Sequence, residues 1–164
     1  MPQEGTPPRK ALDKMNVRIV NLLQRDAKLT TAEIARKLNR AESTVRERIY
    51  AMERSGVIRG YSAIVDKSAL GYDAEAFVFC NIPSAIIDLT LQRLDDMKNV
   101  AGIYLVSGDR RFVIRAAAPN NKELREFVHR RLIPLGITDV DTRIVMDYRE
   151  KLPPGGIVDE DLGK

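Results

Sequence analysis

The chain has 164 residues, 44% of them hydrophobic and 30% charged, which suits one globular domain or two small ones and excludes a disordered chain. No apolar run approaches the roughly 20 residues of a membrane span, and "MPQEGTPPRK" lacks the apolar core of a signal peptide, so a cytoplasmic protein without membrane partners is expected. The net charge of +4 is uneven: residues 1–62 hold 13 Lys/Arg against 7 Asp/Glu and the rest hold 14 against 16, which points to a polyanionic partner for the first part.

Residues 1–10 contain three prolines and no periodic pattern, and read as a flexible arm whose Arg9 and Lys10 could add sequence-independent contacts. From Leu12 the apolar residues Leu12, Met15, Ile19, Leu22 and Leu23 form one helical stripe. "LTTAEIARKL" offers Thr30 and Glu33 as a capping box, with Ile34, Ala35 and Leu38 as a short inner face. A break at Asn39–Ala41 precedes a third helix from Glu42 to Arg54, with Val45, Ile49 and Met52 inward and Gly56 placed to end it. Residues 11–56 are therefore expected to form a three-helix, helix-turn-helix domain. "GVIRGYSAIVD" follows as a linker strand over 57–66.

Beyond "DKSALGYD" the pattern alternates: strand, helix, two strands around a turn at Gly108–Asp109, helix, strand. The order β-α-β-β-α-β over 67–150 fits a ferredoxin-like α+β sandwich with both helices on one face of an antiparallel sheet. Both sheet faces read as largely apolar: Phe77 and Phe79 alternate with Val78, Cys80 and Ile82, and Ile103 and Leu105 with Tyr104 and Val106. Two helices cover one face only, so a homo-oligomer is expected to cover the other. Cys80, the single cysteine, reads as a buried thiol, and 151–164 as a loose tail.

"LDKMNVRIVNLLQRDAKLTTAEIARKLNRAESTVRERIYAMERSGVIRGYSAIVD" resembles the amino-terminal domain of the Lrp/AsnC, or feast/famine, regulators. "IYLVSGDRRFVIRAAAP" and "TRIVMDY" are similar to strands of that family's second domain, called RAM. The resemblance covers about residues 11–150. It implies a winged helix-turn-helix, joined by a β-hairpin or strand linker to the RAM domain. It also implies a sequence-specific regulator of transcription on double-stranded DNA, acting as dimers that often assemble into octamers. An amino acid or other carboxylate near the Gly108–Asp109 turn is the implied effector.

With the third helix in the major groove, Ser43, Thr44, Glu47 and Arg48 are candidates for base edges or nearby phosphates. Arg46 and Tyr50 suit the DNA backbone, and Thr31, Arg36 and Arg40 suit phosphates. Glu47 is either a reader of cytosine or an internal partner of an arginine, and the partner role is the expectation. The effector candidates are Ser107, Gly108, Asp109 and Arg111, with Thr142 added by the resemblance alone. A plain hairpin turn explains Gly-Asp equally well. Arg111 stands where the family often has an acidic residue; it would repel an ammonium and attract a carboxylate. Asn39 replaces the usual turn Gly, and Ala41 a common capping Ser, for which Ser43 or Thr44 could compensate.

No catalytic signal competes. The single histidine, His129, lies in the charged segment "VHRRL", no Cys/His cluster has metal-ligand spacing, and "SGDRR" lacks the glycine spacing of a phosphate loop. Neither cofactor nor metal is expected. Two alternatives share the architecture: a sirohaem decarboxylase-like enzyme, and a small-molecule-binding module without DNA.

Overall fold

The computed structural model describes residues 12–149; the expected arm, with Arg9 and Lys10, and the expected tail lie outside them. The chain divides into two compact units between Ile64 and Val65.

In the first unit, helices α1 (Lys14–Arg25), α2 (Thr31–Leu38) and α3 (Glu42–Arg54) enclose Ile19, Ile34, Ala35, Val45 and Met52. Most of the helix boundaries have a visible chemical cause. The Asp13 carboxylate accepts from the Asn16 N–H at 2.8 Å and starts α1. Thr30 and Glu33 form the expected capping box on α2. Asn39 takes the left-handed conformation, φ +52°, so that the Arg40 N–H reaches the Ala35 carbonyl and closes α2. Ala41 precedes α3 without a side-chain cap, and neither Ser43 nor Thr44 supplies one. At the far end Gly56, φ +70°, donates to Glu53 while Val57 donates to Met52, a Schellman closure.

The linker departs from expectation. Residues 57–66 form no strand, and no β-wing accompanies the three helices among the described residues. The Val57 and Ile58 N–H groups are spent on the Met52 carbonyl, and their side chains pack into the three-helix core. The Tyr61 hydroxyl donates to Glu53 at 2.8 Å and ties the segment to the end of α3.

The second unit is a four-stranded antiparallel sheet ordered β2-β3-β1-β4, with β1 Ala74–Asn81, β2 Val100–Leu105, β3 Phe112–Ala118 and β4 Thr138–Ile144. Helix α4 (Ile87–Asp95) and helix α5 (Asn121–Phe127) share one face. Beneath them Ala76, Val78, Cys80, Ile114 and Ala116 of the sheet meet Leu94, Leu124, Val128 and Leu132. Burial pushes the Cys80 thiol up to about 11, so it is an inert part of this core. Helix α5 continues into a wider π-turn over Val128–Leu132, in which the Ile133 N–H donates to the Val128 carbonyl.

The open face is less apolar than its sequence suggests. Its centre is Phe77, Phe79, Val113 and Tyr104, matched by the register Phe79↔Val113↔Tyr104. Around it stand Glu75, Arg115, Asp141 and Arg143, with the Arg143 guanidinium 4.6 Å over the Phe79 ring.

Candidate nucleic-acid interface and ligand clefts

Helix α3 turns Val45, Ile49 and Met52 inward, and the helical period therefore sends Ser43, Glu47, Tyr50 and Arg54 outward as one exposed stripe. The Arg54 guanidinium lies 5.7 Å over the Tyr50 ring, so this end of the stripe carries a positive charge on an aromatic base. Arg54 was not among the sequence candidates. Its position four residues beyond Tyr50 and seven beyond Glu47 was the available signal.

The two arginines beside Glu47 are both engaged elsewhere. Arg46 pairs with Glu42, one helical turn earlier, and the same Glu42 carboxylate accepts from the Thr31 hydroxyl at 2.9 Å. These hydrogen bonds, Thr31 first and Arg46 second, hold the Glu42 carboxyl below its usual range. Arg48 lies on the flank of α3 toward α1, where it donates to Asp13 and, at 2.9 Å, to the Asn16 amide oxygen. The expected arginine partner of Glu47 is therefore absent: Glu47 is exposed and makes no side-chain hydrogen bond or ion pair among the described residues. Glu42 fills the internal role that the sequence suggested for Glu47.

The remaining candidates of this unit are scattered around the stripe. Thr31, at the start of α2, is tied through Glu42 to the start of α3. Arg40 follows the α2 turn, bonded to the Asn39 carbonyl, and Arg36 is exposed on α2. Thr44 is half-buried beside the Arg48 flank.

In the second unit, residues 106–111 join β2 to β3, and Gly108, φ +114°, supplies a backbone conformation that few other residues adopt. Asn81 pins this turn: its amide donates to the Asp109 carbonyl at 2.8 Å, and its carbonyl accepts from the Arg111 N–H at 3.0 Å. Arg110 adds a bond to the Asp139 carbonyl at 2.8 Å. The backbone of Gly108–Asp109 thus has a structural task, and Ser107 stays exposed beside it. The Arg111 side chain lines a cleft of about 290 Å³ with Ile87, Leu91 and Asp95.

Thr142 is not brought to that turn. It pairs in register with Val78, a residue of the helix-covered face, and faces α5 across a separate cleft of about 500 Å³. His129, the only histidine, lines the same cleft. Among the described residues no group of His, Cys, Asp and Glu is placed to hold a metal ion.

Comparison with known proteins accounts for both units. Residues 12–53 match the AsnC-type helix-turn-helix domain, and residues 75–151 match the Lrp/AsnC ligand binding domain. The HTH-type transcriptional regulator FL11 of Pyrococcus abyssi is 34% identical over 120 residues, 73% of this chain and 80% of that protein. The chain belongs to the Lrp/AsnC family of transcriptional regulators. A leucine-responsive regulatory protein of Rhizobium meliloti is 31% identical, covering 73% of this chain and 79% of its own. The fold is shared with a transcriptional regulator of Neisseria meningitidis solved in complex with L-Met: TM-score 0.80, 18% identity, 87% of this chain and 95% of that one. In this Lrp/AsnC chain the helix-turn-helix is the DNA-binding part, and the α+β unit is the ligand-binding part.

Proposed function

We propose that this regulator reads operator DNA with the outer stripe of α3: Ser43, Glu47 and Tyr50–Arg54 in the major groove, flanked by phosphate contacts from Thr31, Arg36, Arg40, Arg46 and Thr44. The observation that carries the reading is the solvent-facing stripe on the second helix of the helix-turn-helix, in the basic part of the chain. Arg48 serves as a brace between α3 and α1 rather than as a reader, because its guanidinium already has two acceptors.

The chain acts as a homodimer through the open sheet face. Phe77, Phe79 and Tyr104, packed around the buried Val113, offer an apolar centre with a charged rim, the pattern of a specific interface. A dimer sets two α3 helices about 34 Å apart, or a multiple of it, on a near-palindromic site. The protein works by binding rather than by catalysis, in the cytoplasm where the chromosome is; among the described residues no helix is long and apolar enough to cross a membrane. A small carboxylate taken up by the second unit biases one assembly over another.

Fluorescence anisotropy with fragments of the upstream region, repeated across a salt series, tests the reading. Tight binding to one fragment that weakens steeply with salt supports it, since phosphate contacts release counterions. Binding to no fragment at low salt overturns it.

A further inference from the structure

Strand β4 is an edge strand, and α5 does not cover its inner side completely. Thr142 and Ile144 occupy helix-facing positions yet are exposed, Ile144 at 45%. Between them and α5 lies the cleft of about 500 Å³, within the size range of small-molecule sites. Lys122, Arg125 and His129 line it at helical spacing, while Leu124, Val128 and Ile144 supply apolar wall. No carboxylate lines it. None of the three basic side chains makes an ion pair or side-chain hydrogen bond among the described residues. His129 sits in the π-turn, a widened turn that is frequent at functional sites.

We infer that this cleft is a binding site for a small aliphatic carboxylate without an α-ammonium group. The inference deepens the effector reading: it places the ligand between α5 and β4 instead of at the Gly108–Asp109 turn, and it names the ligand class. The Arg125 guanidinium can hold a carboxylate bidentately, with Lys122 and the Thr142 hydroxyl as further donors. The aliphatic chain lies along Val128 and Ile144. An ammonium in the same place would meet Lys122 and Arg125 and find no carboxylate, so the site rejects the parent amino acid by charge.

Isothermal titration of the full-length protein with isocaproate, leucine and inorganic phosphate tests the site, because leucine is the isocaproate skeleton with an added ammonium. Isocaproate is expected to bind at least tenfold more tightly than leucine or phosphate. Arg125→Gln and Thr142→Val should each weaken it at least fivefold, and Arg93→Gln, on α4, should leave it unchanged. Absence of isocaproate binding, equal binding of leucine or phosphate, or indifference to both cleft variants would overturn the inference. Thermal melts identify a variant that fails to fold, and Lys122→Gln then takes its place. DNA affinity measured on the same samples separates the two readings: intact DNA binding without isocaproate binding removes this site alone, and the reverse result removes only the operator reading.

Discussion

Arg48 of α3 donates to the carboxylate of Asp13, the residue that caps α1, so one acidic side chain both starts the first helix and anchors the third. The Arg48 hydrogen bond, and after it the Asn16 N–H, hold the Asp13 carboxyl below its usual range. Asp13 is more than half exposed, so solvent screening limits the pair to about 0.5 kcal/mol at most, and the cap contributes about 1 kcal/mol. Asp13→Asn, which can still cap, should cost a few tenths of a kcal/mol, whereas Asp13→Ala, which loses cap and pair together, should cost about 1–1.5 kcal/mol. A folded value below the unfolded one means that the charge contribution is complete above about pH 4 and is lost as the pH falls through the folded value. Urea unfolding of wild type and Asp13→Asn should therefore differ near neutrality and converge in strong acid.

Glu47 supplies the sharper test of DNA reading. A carboxylate facing a groove lined with phosphates is repelled unless a base donor meets it, and the cytosine amino group is the matching donor. Glu47→Gln should change preference at one base position by about 1–3 kcal/mol, while binding elsewhere in the site is unchanged. Arg48→Ala should lower the melting temperature and leave the base preference intact. Selection of sites from a randomised operator would measure both, and an unchanged profile for Glu47→Gln would remove it from the readout.

Local signals in the sequence carried far into the structure where their partners are also local. The capping box at Thr30, the left-handed Asn39 and the helix end at Gly56 all depend on hydrogen bonds spanning a few residues. The β-α-β-β-α-β order was legible for the same reason, through two distinct periodicities. Partners distant in sequence were not legible. Nothing near Arg48 shows that Asp13, 35 residues earlier, will take its guanidinium. Nor does spacing reveal that Asn81 pins a turn 28 residues away. Alternation showed which side chains share a sheet face, but not that ion pairs would border the open one. The strand expected over 57–66 failed because β-propensity alone cannot supply a ladder partner.

Phe77 lies at the centre of the open face, with Arg115 and Arg143 as its register neighbours. Phe77→Lys would place a third cation between two arginines in the middle of the proposed interface, where desolvation is most costly. Sedimentation velocity should then show a monomer, and affinity for a two-half-site operator should fall toward that of a single half-site. Retention of the dimer by this variant would exclude the open face as the contact.

Glu75, on that same face, joins two cations. It accepts from Arg115 and, at 2.7 Å, from Lys67, and its side chain is 12% exposed. Burial by itself would raise its carboxyl, yet the two cations together outweigh burial and hold it below the usual range. Removing one partner of a buried pair costs about 3–5 kcal/mol, but Arg115 and Lys67 are a quarter to a third exposed, so Glu75→Gln should cost about 2 kcal/mol. Adding Arg115→Met tests the coupling, because it removes the guanidinium that donates to Glu75. The acid limb has the same sign as for Asp13: stability from Glu75 is complete above its unfolded value and disappears as the pH falls through the lower folded one. Denaturant unfolding of the two single variants and the double variant, at neutral and acid pH, measures the coupling. Simple additivity of the two losses would show that the pair holds no energy of its own.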